Sequence, residues 1–172
     1  MMAARAKRTR APSKGRERGA VYVETLIGLP VVIYFFLQLW QLLDLYTAHL
    51  VVQHAAVAAV RAAVVVGPDD PRFYSNQALD DLSGGERLDD VKTAAALVLG
   101  AIPAFQAAGF KVELSGTFEA NQEITAKVTA DYACRVAALN PACGLAAFRH
   151  VSATASLPYQ GAKYQFGDTN PP

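Results

Sequence analysis

Nineteen consecutive residues, Thr25 to Leu43, carry no formal charge, and a strongly basic segment stands directly before them. At about 1.5 Å rise per residue, a helix of that length matches the ~30 Å hydrocarbon core of a bilayer. The run therefore reads as a single transmembrane helix. Residues 1–19 hold seven Lys/Arg against one acid, Glu17, a net charge of +6; the chain's formal +1 thus leaves −5 for everything after Gly19. Positive charge gathered on one side of an apolar span sets its orientation, so Met1 is expected in the cytoplasm and the chain beyond Asp44 outside. Trp40 and Tyr46 then fall at the outer interface.

The apolar character does not stop at Leu43. Between Ala20 and Val66 the only break signal is Pro30, and Leu, Ala, Val and Gln continue the helical composition, so one helix over 20–66 is expected, with its membrane part at about 25–43. Pro30 removes one backbone hydrogen bond and is expected to kink it. In the outer half Thr47, His54 and Arg61 recur every seven residues, with Asp44 three before them. They draw a narrow polar stripe on an apolar cylinder, which predicts a segment outside lipid and covered by protein. Gly67-Pro68 stops the helix, and 67–89 reads as a polar, acidic loop.

Over 90–172 the pattern predicts a small α+β domain. Asp89 or Asp90 is expected to cap a second helix, with Val91, Ala94, Ala95, Val98, Ile102 and Phe105 on one face, ending near Gly109. Strict alternation then marks three strands: one with Val112, Leu114 and Phe118 inward, a second with Ile124 to Tyr132 after an Asn121-Gln122 turn, and a third from Val151 to Leu157. The expected fold is a long helix plus one helix and a three-stranded antiparallel sheet, with the tail from Gln160 loosely held. Cys134 and Cys143 lie in the exported part, where an oxidising compartment allows them to pair. Two buried, unpaired thiols are the alternative.

Glu24 is the residue that asks most of its surroundings. It lies inside a segment that otherwise excludes charge, and an acid at bilayer depth costs on the order of 2 to 3 kcal/mol without a partner. A cut after Gly19 creates that partner in the new α-amino group of Ala20. The same cut removes the +6 leader, whose basic residues each hold the helix to anionic lipid by roughly 1 kcal/mol.

A basic leader, Gly19 before the cut and Glu24 as fifth residue after it resemble the class III signal of type IV pilins and pseudopilins. Arg18-Gly19-Ala20-Val21-Tyr22-Val23-Glu24, then Leu26-Ile27-Gly28-Leu29-Pro30, an Ala-rich helix and a final Ala155-Ser156-Leu157-Pro158-Tyr159 resemble the TadE-like minor pilins of tight-adherence pili. The resemblance covers the first helix well and the exported domain loosely. It implies a non-enzymatic subunit in a bacterial inner membrane, with a periplasmic C-terminal domain. Its partners would be a prepilin peptidase, other pilin subunits, an assembly platform and membrane lipid. Two further readings stand beside it: an uncleaved anchor in which Glu24 snorkels to the interface, and a general secretory signal cut near Ala58.

Other motifs lead less far. Leu82-Ser83-Gly84-Gly85-Glu86 resembles a transporter signature, but the chain has no G-x-x-x-x-G-K-[ST] phosphate loop, so it reads as a turn. His49 and His54 are five apart, off the i, i+4 spacing of two ligands on one helical face, and the six paired aspartates between Asp69 and Asp90 lack EF-hand spacing. No metal, cofactor or nucleic acid is expected, and no nucleophile–base arrangement is suggested.

Overall fold

The computed structural model describes residues 14–106, 109–134 and 148–161. Helix α1 runs from Lys14 to Val66, so it starts six residues before the expected boundary, inside the basic leader, and ends where Gly67-Pro68 was expected to end it. It continues through Pro30, whose missing N–H leaves the Leu26 carbonyl without its usual donor. Thr25 and Thr47 each return their hydroxyl to the carbonyl four residues back, at 2.9 and 3.0 Å, which satisfies both groups without leaving the helix.

The chain divides into two compact units, Met1–Trp40 and Gln41–Pro172. The second begins within α1, so the outer half of that helix belongs to the folded domain. Its inward face is built from Ala48, Val52, Ala55, Ala56, Ala59, Val60 and Ala63, all fully buried and spaced at three and four residues. Thr47, His54 and Arg61 are exposed and Asp44 is half-buried. Small side chains on the buried face let the helix backbone lie close to what covers it.

After a 3₁₀ turn at Pro71–Phe73, helix α2 spans Gly85–Leu99 and a single-turn helix α3 spans Pro103–Gln106. The expected cap at Asp89 or Asp90 is wrong: the N-cap is Gly84, five residues before Asp89, and the two aspartates are exposed within the helix. Nor does one helix reach Gly109. The backbone turns at Gly100 and Pro103 opens α3, the position in a helix where proline's missing donor costs nothing.

Strands β1 (Phe110–Ser115), β2 (Glu123–Ala133) and β3 (Phe148–Pro158) form an antiparallel sheet in the order β1-β2-β3. Register pairs Val112 with Val128 and Val128 with Ala153, so the apolar sets of all three strands share one face. On it Ile124, Ala126, Val128, Ala130 and Tyr132 are buried, while Lys111, Glu113, Lys127 and Thr154 lie opposite and exposed. This face joins the alanine face of α1, Val91, Ala95 and Leu99 of α2, and Phe105 of α3 in one hydrophobic core. β1 stops short of Phe118 because Gly116 takes φ +118°, where a Cβ would run into the Glu123 carbonyl.

Candidate functional site

Residues 21–40 of α1 form the first feature a function must explain. Almost every side chain there is exposed: Leu26 at 76%, Phe35 at 63% and Trp40 at 58%, with only Gln38 half-covered. Leaving a Leu, Ile or Phe in water forgoes about 1.5 to 3 kcal/mol of transfer energy per side chain. A helix apolar around its whole circumference is stable only where lipid or other apolar helices surround it. The helix from Val21 onward is long and apolar enough to cross a membrane.

The expected processing residues lie at its start. Gly19 is exposed and helical, with open space where a Cβ would sit, and Gly28 is the same. Glycine in a helix interior costs roughly 1 kcal/mol relative to alanine, and nothing in this fold requires it at either position. Glu24 is exposed, and no described cation pairs with it. Ala20 is in the helix.

At the other end of α1 stands a residue that the sequence reading missed. Arg87 is completely buried and its guanidinium is turned onto backbone carbonyls: those of Val66, of Gly67 at 3.0 Å and of Asp69 at 2.9 Å. It lies over the Tyr74 ring at 4.4 Å. Its Nε has no partner among the described residues. A planar fork of donors suits this position, because the last carbonyls of a helix lack internal donors and carry the negative end of its dipole. The spacing 87, 91, 95, 99 placed Arg87 on the buried face of α2. Reading the helix from Asp89 hid that signal.

The acidic loop is built around this latch. Gln77 donates to the carbonyls of Asp81 at 2.7 Å and Gly84 at 2.6 Å, and its Oε1 accepts from the Arg87 N–H at 3.4 Å, taking the place of the cap side chain that Gly84 lacks. Asp70 caps the 3₁₀ turn, and its hydrogen bond with the Arg72 side chain, then that with the Arg72 N–H, hold its carboxyl below the usual carboxylate range. The Ser83 hydroxyl, then the Ser83 N–H, do the same for Asp81. Burial pushes the Tyr74 phenol up, helped by its hydrogen bond to Asp69. Tyr159, also missed, is buried against Phe118 at 5.4 Å, donates to Asp80, and exchanges backbone bonds with Asn121 and Gln122, so the chain is fixed through the residue before the predicted loose tail. The remainder of that tail, from residue 162, lies outside the described residues.

Of the segment read as a turn, Leu82 to Gly84 lead into α2, whereas Gly85 and Glu86 are already its first two residues. His54 is exposed, His49 is exposed on the same helix, and His150 pairs with Asp131. Among the described residues no three His, Cys, Asp or Glu side chains come together as a metal site. Cys134 follows β2, half-buried against the core; Cys143 lies outside the described residues, and with it the pairing. No family model, no curated protein and no solved structure matches the chain.

Proposed function

We propose that this chain is a minor pilin or pseudopilin of the TadE-like kind, cut after Gly19 by a prepilin peptidase and then built into a filament or its assembly base. The observation that carries this reading is the division of one helix into two chemistries. Residues 48–63 spend their apolar face on the chain's own sheet, whereas 21–40 spend theirs on nothing among the described residues. An assembling subunit needs this arrangement: a finished domain attached to an apolar rod that exchanges lipid for neighbouring rods.

The steps follow from charge and packing. The +6 leader keeps the N-terminus in the cytoplasm and the domain in the periplasm. Cleavage removes the attachment to anionic lipid and leaves the Ala20 amine, a cation four residues from Glu24. Once rods pack side by side, that amine, or a neighbour's, answers Glu24 and sets the axial register, because an unanswered buried charge costs several kcal/mol at every other offset. The open space around Gly19 and Gly28 supports the reading: glycines that the isolated fold does not need fit a backbone that another protein must approach closely.

Glu24→Ala tests the register step. The variant should be cut normally yet be absent from sheared filaments; normal incorporation would refute the role. Full-length protein confined to the membrane fraction, with no filament-associated form, would instead support a permanent single-pass anchor whose domain docks a secretion-apparatus partner.

A further inference from the structure

The outer edge of β3 has no part in the latch or in processing. Tyr159 fixes which way the backbone of this strand points: its N–H donates to the Gln122 carbonyl and its carbonyl accepts from the Asn121 N–H, both at 2.8 Å. Alternation then turns the backbone groups of Leu157, Ala155, Ala153 and Val151 toward β2, and those of Ser156, Thr154, Ser152 and His150 away from it. The other side of β2 agrees. The Asp131 N–H donates to the Gly109 carbonyl at 3.3 Å, which gives the odd-numbered residues of β2 to β1 and leaves the even-numbered ones, Ile124 among them, for β3. Among the described residues only β2 pairs with β3, so one side of an eleven-residue strand carries a row of donors and acceptors that no described strand answers.

We propose that two copies of this chain pair through this edge, β3 against β3, antiparallel about a two-fold axis at Thr154, so that their sheets become one. Natural sheets protect a free edge by keeping it short, by charge or by proline. β1 does so: it is six residues long, carries exposed Lys111 and Glu113, and lies beside α2. β3 does not, since Val151 to Leu157 contain neither charge nor proline. The same stretch is complementary to itself. A two-fold axis must bring outward-pointing residues to each other, and Thr154 at the centre does this: it meets its own copy, Ser152 meets the second copy's Ser156, Ala153 meets Ala155 and Val151 meets Leu157. Hydroxyls then face hydroxyls on the wet side of the sheet and aliphatic groups face one another on the core side, with no like charges opposed. His150 falls opposite Pro158, whose missing N–H ends the ladder. Centring on Ser156 would instead set that proline opposite Thr154, inside the ladder, and centring on Ser152 would set the charged Arg149 opposite Ala155. Such a pairing closes on itself, so it gives a pair and not a fibre, and it does not depend on cleavage after Gly19.

The test measures association of the full chain in detergent by sedimentation equilibrium. The apolar helix can also hold copies together, so the readout is the difference between two variants that alter the same two exposed serines. Ser152→Lys with Ser156→Lys sets ammonium against ammonium across the pairing and should weaken it about tenfold relative to wild type. Ser152→Lys with Ser156→Glu sets ammonium against carboxylate and should match or exceed wild type. Equal association of the two variants would overturn the proposal, as would a wild type that stays monomeric. Hydrogen exchange on the wild-type chain needs no variant. The amides of Ser152, Thr154 and Ser156 should slow about tenfold from dilute to concentrated protein, while those of Ala153 and Ala155, bonded to β2, stay slow throughout. Fast exchange of the three at every concentration would overturn the pairing. Protection of the three that does not change on dilution would put another segment of the same chain on the edge, and would overturn it as well.

Discussion

Replacing Arg87 with methionine keeps the aliphatic stem and removes the guanidinium that closes α1 against the acidic loop. The carbonyls of Val66 and Gly67 belong to buried residues, and each loses the guanidinium while keeping one backbone donor, the N–H of Asp69 at 3.3 Å and that of Asp80 at 3.0 Å. Losing the hydrogen bonds from a charged donor costs about 1.5 to 3 kcal/mol, and the lost ring contact with Tyr74 adds about 1 to 2 kcal/mol. Asp69 is half-buried, so its carbonyl turns to water at small cost. Relief from burying a cation offsets part of the total. The net expectation is a loss of about 3 kcal/mol, a fall of roughly 10 °C in melting temperature for a domain of this size. Arg87→Lys should recover little, because one ammonium cannot reach the three carbonyls in the fork's geometry. The assay is thermal melting of the full chain in detergent, followed by the near-UV tyrosine signal, because helix ellipticity from the apolar segment survives domain unfolding. Lys92→Met, which removes an exposed i,i+3 pair with Asp89, serves as control and should move the midpoint by less than about 2 °C. An Arg87→Met midpoint within that control's range would refute the latch.

Four further outcomes are expected. The carboxyls of Asp70 and Asp81 titrate lower in the folded chain than in the unfolded one, so the stability they contribute is complete above pH 3.8 and is lost as pH falls through their folded values; Asp70→Asn should flatten that acid limb in melts at pH 2 to 5. Tyr74 titrates higher when folded, so its contribution is complete below pH 10 and disappears as pH rises through the folded value, a slope that Tyr74→Phe should reduce. Gly116→Ala should destabilise by about 1 to 3 kcal/mol in denaturant titration, since φ +118° and the Glu123 carbonyl both oppose a Cβ. If Cys134 pairs with Cys143, thiol labelling of the denatured, unreduced chain should find none free, and reduction should cost about 2 to 3 kcal/mol in the same titration.

The parts of this fold that were legible in the sequence are those where one physical signal runs over many residues. Alternation at period two gave away all three strands and their inward faces, because a sheet with one wet face has no freedom in its pattern. The end of α1 was legible because Gly67-Pro68 admits no continuation. The start of α2 was not: Asp89-Asp90 carries a cap's composition, while the working acceptor is Gln77, brought by a loop that only tertiary structure places. Arg87 was hidden for a related reason. A lone arginine reads as solvated surface, and its burial depends on carbonyls 18 to 21 residues earlier in the chain. At the candidate site the balance reverses. Gly19 and Glu24 are exposed in a single chain, so their spacing carries information that the fold does not use.

We propose that this exposed end is cut and that its new terminus enters an assembly. N-terminal sequencing of the chain recovered from cells with and without the peptidase tests it most directly. Ala20 is expected as the first residue when the peptidase is present and Met1 when it is absent; Met1 in both, or a start near Ala58, would refute processing after Gly19.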